Sequence, residues 1–421
     1  MARNFFGTDG VRGIVGEFIT PDLVERLGKA SALWSGRGRV FIGRDTRASG
    51  EELEEAFARG VASAGGSAVL AGVVPTPAVA LLRLDLGVVI SASHNPPEYN
   101  GVKFFDRDGR KLSDAAEEEI EALLDARATG GGEIDHIGVA SDSSLEHVLE
   151  RFGSSLDGLR IAVDCANGAY SDIAPRAFSE LGAEVHAIGN EPDGANINVG
   201  CGATDLAPLQ ELVARGKFDL GVAFDGDGDR MRAVDENGSV VDGDQIVAIL
   251  ALHLGVDLVA VTTMTNLGFH RLMDERGIRV ITTDVGDRYV LEALYRERGI
   301  LGGEQSGHII CLRDHVTGDG LASALLLCGA LNGRPLSQVA DVMPRYPQVK
   351  QNLPRATRGP LPEALLARIA DVNEELDGEG RVLVRRSGTE PLVRVLAEAA
   401  TQRDAESLCA RIAALVTQEL G

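Results

Sequence analysis

Lysine is almost missing from this chain: Lys29, Lys103, Lys111, Lys217 and Lys350 are the whole set in 421 residues. Arginine supplies most of the positive charge, and acidic residues outnumber basic ones 63 to 41, for a formal net charge of −22. That imbalance argues against nucleic acid and against an anionic membrane surface as partners, because their phosphates would be repelled. A small anionic substrate fits only if basic residues gather locally, and arginine's planar fork suits phosphate. Cysteine pairs are missing too. Cys165, Cys201, Cys311, Cys328 and Cys409 are widely spaced, with no Cys-x-x-Cys, which predicts a reducing, cytoplasmic setting and no structural zinc. Met1 to Thr8 holds no long apolar run, so no signal peptide is expected. The apolar stretch from Ile246 to Val261 is interrupted by His253 and Asp257 and is too short to span a bilayer. Nothing in the sequence fixes an oligomeric state.

What is present is a repeated alternation of apolar runs and helical segments. Val40-Phe41-Ile42, Ala68-Val69-Leu70 and Gly87-Val88-Val89-Ile90 read as strands, with helices such as Glu51 to Ala64 between them. This is a βαβ pattern. An acidic helix from Asp114 to Asp125 ends in the break Ala128-Thr129-Gly130-Gly131-Gly132. A second unit opens at Leu159 to Asp164, takes Leu181 to Val185 as its next strand and continues to Phe218–Phe224. A third opens at Leu258 to Thr263 and runs on through Val280-Ile281-Thr282. After Pro344, Pro347 and Pro354 the pattern changes to a helix from Pro362 to Leu376, paired strands at Arg381–Arg385 and Leu392–Ala397, and a last helix begun by Thr401-Gln402-Arg403-Asp404. Leu408, Ile412, Leu415 and Val416 give that helix one apolar face. The fold class is therefore α/β, three mixed α/β domains plus a smaller C-terminal α+β domain. The divisions fall at 1–154, 155–254, 255–345 and 346–421.

Four loops carry candidate chemistry. Ser91-Ala92-Ser93-His94-Asn95-Pro96 follows the strand Leu86–Ile90, at the carboxyl end where open α/β sheets place their sites. Pro96 and Pro97 stiffen it, so Ser93 is presented as a possible phosphate carrier. Adjacent side chains point apart, which argues against a Ser93–His94 hydrolase pair; a stiff loop with a capping serine is the plainer alternative. Asp225-Gly226-Asp227-Gly228-Asp229-Arg230 follows the next apolar run. Three converging carboxylates at about 4 Å would cost about 4 kcal/mol per pair at an effective dielectric near 20, a cost that a cation removes. Oxygen-only ligands favour Mg²⁺, Mn²⁺ or Ca²⁺ over Zn²⁺, and Mg²⁺ most naturally if a phosphate supplies another oxygen. Arg230 stands where an EF-hand loop needs glycine, and a strand precedes it, so that reading fails. A solvated acidic loop is the alternative.

The other two loops are polar. Gly302-Gly303-Glu304-Gln305-Ser306-Gly307-His308 offers carboxylate, hydroxyl and imidazole to sugar hydroxyls, or is only a polar turn. Arg385-Arg386-Ser387-Gly388-Thr389-Glu390-Pro391 joins two strands. Amides near Gly388, two hydroxyls and an arginine fork make an anion cradle, or an exposed basic turn.

In this order the four motifs, with Gly7-Thr8-Asp9-Gly10-Val11-Arg12-Gly13 before them, resemble the α-D-phosphohexomutase family over essentially the whole chain. Gln305, Gly286–Val290 and Thr262–Gly268 are similar to its glucosamine-phosphate branch; the branch acting on mannose and glucose phosphates usually has Met at the place of Gln305. Ser91 departs from the more usual Thr, and Arg386 from Lys or Pro. The resemblance implies four domains around a central cleft and a phosphoenzyme. Ser93 would carry the phosphoryl group, and Mg²⁺ would be held by that phosphate with Asp225, Asp227 and Asp229. Arg12 and Arg230 would neutralise charge, and Lys103 would be the acid/base, with His308 a second candidate. Glu304 and Ser306 would grip sugar hydroxyls, Arg288 would orient the sugar, and Arg385, Ser387 and Thr389 would hold the non-reacting phosphate. The implied partner is a phosphosugar, turned over through a sugar 1,6-bisphosphate. The competing readings are a phosphomannomutase/phosphoglucomutase and, from a different class, a non-catalytic sugar-phosphate or metal-binding protein.

Overall fold

The computed structural model of the protein describes residues 5–7, 9–354, 360–386 and 392–420. Its first sheet contains β1 (Val11–Ile14), β2 (Arg39–Arg44), β3 (Ser67–Val73), β4 (Leu86–Ile90), β5 (Tyr99–Phe105) and β6 (Ile134–His136). The order is β1-β5-β4-β2-β3-β6, with β4, β2, β3 and β6 parallel and β5 antiparallel to both β4 and β1. Every residue of β4 is buried, as expected of a central strand whose two faces are covered. The helices Pro21–Trp34 and Gly50–Ser63 cross closely because Gly28 and Gly60 lack side chains. A Cβ on Gly28 would strike the Phe57 carbonyl, and one on Gly60 the Glu25 carbonyl.

The second sheet takes β7 (Arg160–Asp164), β8 (Glu184–Ile188), β9 (Leu220–Phe224), β10 (Met231–Asp235) and β11 (Val240–Val241) in the order β11-β10-β9-β7-β8. The strand expected from Leu181 begins three residues later, at Glu184, because Gly182 takes φ +99° and makes a turn there. In the third sheet β12 (Leu258–Thr262), β13 (Arg279–Thr283), β14 (Leu301–Gly303) and β15 (Ile309–Cys311) lie in the order β13-β12-β14-β15. Gly302 and Gly303, expected in a loop, instead belong to β14, where β12 and β15 flank them.

The fourth sheet is antiparallel: β16 (Gln348–Pro354), β17 (Gly380–Arg386) and β18 (Leu392–Ala399), with β18 in the middle. The helices Glu363–Glu375 and Gln402–Leu420 supply Leu365, Ile369, Leu408, Ile412 and Val416 to its core. The chain divides into two compact units, Met1–Thr263 with Arg279–Val342, and Met264–Ile278 with Met343–Gly421. Polar bonds explain why the helix Leu267–Glu275 belongs with the fourth sheet. Asn266 exchanges two hydrogen bonds with the Tyr346 backbone at 2.8 and 3.1 Å. The Leu267 amide donates to Glu398 at 3.1 Å, and Arg381 donates to the Thr265 carbonyl at 2.7 Å. No helix among the described residues is long and apolar enough to cross a membrane.

Candidate active site

Three of the four candidate loops leave the carboxyl ends of strands in the larger unit. The Ser93 loop follows β4, the acidic loop joins β9 to β10, and Glu304–His308 turns between β14 and β15. An isolated bridge between Arg230 and His308 ties the last two loops together. Ser93 Oγ donates to Asp225 Oδ2 at 2.6 Å, so residues 132 positions apart meet at one point. Ser93 is 1% exposed and holds a left-handed backbone, φ +52°. That turn swings its hydroxyl to 3.3 Å from His94 Nδ1. The two side chains therefore do not point apart as adjacency suggested, although burial, with Arg230 and Arg12 nearby, pushes His94 down to about 4.

Asp225, Asp227 and Asp229 each place a carboxylate oxygen within 4.8 Å of the others. Burial, reinforced by Asp229 and Asp227, pushes the Asp225 carboxyl up to about 8. Asp227 Oδ2 accepts from Lys103 Nζ at 2.7 Å and Thr76 Oγ1 at 2.6 Å. Lys103 also reaches Asp229 and Asp9, both at 3.2 Å. Burial opposes charge on this amine, but the three carboxylates hold it well above its ordinary value. Burial likewise opposes charge on Asp229, yet Lys103 and His308 hold it well below the usual carboxylate range. Asp227 Oδ1 and Asp229 Oδ1 remain buried with no hydrogen-bond donor among the described residues. Two such hard oxygens beside a third carboxylate fit a divalent metal.

Around this centre, Arg12 donates to Asp9 at 2.7 Å and Asn95 at 3.4 Å. Arg230 Nε lies 3.7 Å from Asp229. The His308 ring sits between Asp229 at 3.6 Å and Asp287 at 3.3 Å. Burial opposes protonation of that ring, and the two carboxylates raise it. Glu304 is buried and accepts from the Gly286 amide at 3.0 Å, while Ser306 is exposed on the same turn. Arg288 is held differently: it donates to Asp114 and to the Leu112 carbonyl and is 9% exposed. Arg385 lies on β17 in the smaller unit; Ser387 and Thr389 lie outside the described residues.

Several participants escaped the sequence reading. Lys111 bridges Asp9 and Asp287, each at 2.7 Å. Thr76 buttresses Asp227, and Arg47 binds the backbone of the Ser93 loop. The signal for Arg47 was Gly43-Arg44-Asp45-Thr46-Arg47 at the carboxyl end of β2, the strand beside β4. Asp9 stood in an opening motif quoted as a resemblance but given no role.

An acidic centre that grips a serine hydroxyl, built on three mixed sheets, is the setting of a phosphohexomutase. The sequence matches the four alpha/beta/alpha and C-terminal domains of one family: domain I over residues 3–130, II over 142–238, III over 242–346 and the C-terminal domain over 344–415. The chain belongs to the phosphoglucomutase/phosphomannomutase family, which makes it a mutase of the isomerase class. It is 48% identical to the phosphoglucosamine mutase of Moorella thermoacetica over 96% of this chain and 97% of that one. A family protein from Burkholderia thailandensis shares the fold at a TM-score of 0.83, with 26% identity over 97% of each chain. The N-acetylphosphoglucosamine mutase of Aspergillus fumigatus, solved with GlcNAc-6P and magnesium, shares only the fold: TM-score 0.71 and 18% identity over 99% of this chain and 96% of that one.

Proposed function

We propose that this enzyme interconverts glucosamine 6-phosphate and glucosamine 1-phosphate through a phosphoserine at Ser93 and a bound 1,6-bisphosphate. The observation that carries the reading is the 2.6 Å contact between Ser93 Oγ and Asp225, which joins a strand-end serine to a buried acidic triad. Full-length relatives that are phosphoglucosamine mutases support the choice of sugar.

In the first transfer the bond between Ser93 Oγ and phosphorus breaks as the sugar's 1-hydroxyl oxygen bonds to phosphorus, and the hydroxyl proton is relayed through the site's acid/base groups to the departing Ser93 Oγ. The second transfer runs the same chemistry from the 6-phosphate back to Ser93. Asp225, Asp227 and Asp229 would hold Mg²⁺, which when bound neutralises charge on the transferring phosphate oxygens. Lys103 donates to Asp227 and Asp229 and pairs with Asp9, so it enters the cycle as an ammonium, an acid before it is a base. His308, between two carboxylates, is the second proton carrier. Arg12 and Arg230 neutralise the phosphoryl group, and Glu304 and Ser306 take the sugar hydroxyls. Arg288 orients the sugar, and Arg385, Ser387 and Thr389 hold the non-reacting phosphate. The four domains are taken as 1–154, 155–254, 255–345 and 346–421. Action in the cytoplasm agrees with five buried cysteines that form no disulfide.

Side-by-side kinetics on glucosamine, glucose and mannose 6-phosphates test the reading. The highest kcat/KM is expected on glucosamine 6-phosphate, and preference for mannose or glucose overturns the assignment. Intact-mass measurement should show one phosphate that disappears in Ser93→Ala, and normal turnover by that variant removes Ser93 from the cycle. Arg385→Ala should raise KM and release free bisphosphate, because the phosphate it holds is present in ground and transition states alike.

A further inference from the structure

The guanidinium of Arg47 is completely buried, and it touches no group that reacts. Its Nε donates to Asp45 Oδ2 at 2.9 Å. One terminal nitrogen donates to the carbonyls of Pro96 and Tyr99, the latter at 2.8 Å. The other donates to the carbonyls of Ser93 at 2.9 Å and Asn95 at 2.8 Å. All five N–H donors of the fork are thus engaged, four of them on the backbone that presents Ser93. From the second sheet's side Asn198 Nδ2 donates to the same two carbonyls, Ser93 at 2.9 Å and Asn95 at 3.1 Å. Asp45 extends the frame: it accepts from Ser91 Oγ at 2.6 Å, and that hydroxyl accepts from the Ser93 amide at 2.8 Å. Both peptide groups of Ser93 are therefore fixed, which holds a non-glycine residue in the left-handed region.

The phosphoserine cycle explains the need for such a frame. Each turnover swings the charge at Ser93 by about 1.5 to 2 units, within hydrogen-bond reach of an acidic triad. The contact from Ser93 Oγ to Asp225 exists only while the hydroxyl carries its proton, so phosphorylation removes it. Bonds to the carbonyls of Ser93 and Asn95 do not depend on what Oγ carries. We infer that Arg47, braced by Asp45 and Ser91 and opposed by Asn198, is a positioning residue that keeps the Ser93 loop in one geometry through both the phosphorylated and free states. This rests on Ser93 being the phosphate carrier.

The test uses Arg47→Lys, which keeps the charge but has three donors in place of a planar five-donor fork. A misplacement of about 1 Å can cost about 10²-fold in rate, so kcat should fall by about that factor. KM for the sugar phosphate should stay within about threefold of the parent, because the groups proposed to bind the sugar are untouched. Adding millimolar guanidinium to Arg47→Ala should recover part of kcat, whereas methylammonium should not. A purely structural role would lower the melting temperature and leave kcat per folded molecule unchanged, and that result overturns the inference. If Arg47 variants do not fold, Ser91→Ala and Asn198→Ala each remove one brace and leave the guanidinium in place. Each should lower kcat by about tenfold at constant KM, and parental kcat in both overturns the inference. Intact-mass analysis of the parent separates the two claims: no phosphate on Ser93 sinks the carrier reading, whereas a phosphorylated parent with fully active Arg47→Lys sinks only the frame.

Discussion

Glu398 in the smaller unit and Asp227 in the larger one are both fully buried, and each accepts from a cation: Arg381 at 2.6 Å and Lys103 at 2.7 Å. Beyond that they diverge. Glu398 is satisfied on both oxygens, Oε1 by the Leu267 amide and Gln348 and Oε2 by Arg381. Asp227 is satisfied on Oδ2 alone, and its Oδ1 has no donor among the described residues, as is also true of Asp229 Oδ1. A buried oxygen without a donor costs about 1–3 kcal/mol or more when charged, a cost that a bound cation would offset. Glu398 ties a helix to a sheet. The triad's donorless oxygens suit a cation.

The largest test of that contrast is Asp227→Asn. The amide keeps the shape and can still accept from Lys103 and Thr76, but it removes one charge from the metal site. If the metal supplies several kcal/mol to the transition state, losing about 4 kcal/mol of it lowers kcat by about 10³-fold. Mg²⁺ affinity measured by calorimetry should fall with it, while the melting temperature of the metal-free protein changes little. Parental metal binding and turnover would remove Asp227 from the metal site.

The opposite outcome is expected of Glu398→Ala. It strands Arg381, the Leu267 amide and Gln348, and breaking a buried pair in this way costs about 3 kcal/mol. Denaturant unfolding should show that loss, and Mg²⁺ affinity should be unchanged. Equal stability of variant and parent would mean that Glu398 does not anchor the helix Leu267–Glu275.

The sequence exposed the triad and concealed the anchor for a physical reason. Asp225, Asp227, Asp229 and Ser93 stand in short loops after apolar strands, and both features are local. Glu398 pairs with Leu267 and Gln348, Lys111 with Asp9 and Asp287, and Arg47 with carbonyls about 50 residues ahead. Those partners are made by folding and leave no spacing to read. Even the Ser93–His94 contact, between adjacent residues, depended on a left-handed φ that the side chain at Ser93 gives no reason to expect. Boundaries failed where glycine had two readings: Gly182 ends a turn, but Gly302 and Gly303 sit inside a strand.

The smallest expected effect is a dependence on pH at the acidic triad. The Asp225 carboxyl titrates near 8 in the folded, metal-free protein, against an ordinary value of 3.8. Folding therefore favours its protonated form. The stability this contributes is fully present below about pH 4 and is lost as pH rises toward 8, where the folded protein must also ionise a carboxyl next to Asp229 and Asp227. In chelator, the melting temperature should decline across that window by a few degrees. Asp225→Asn has no proton to lose and should flatten that part of the curve. Saturating Mg²⁺ should flatten it too, because the cation stabilises the ionised triad and brings the carboxyl back toward its ordinary range. Glu398→Gln should leave the slope as it is in the parent. A parental slope that survives both Asp225→Asn and added Mg²⁺ would place the titration elsewhere, and the triad would then be no more strained than the anchor.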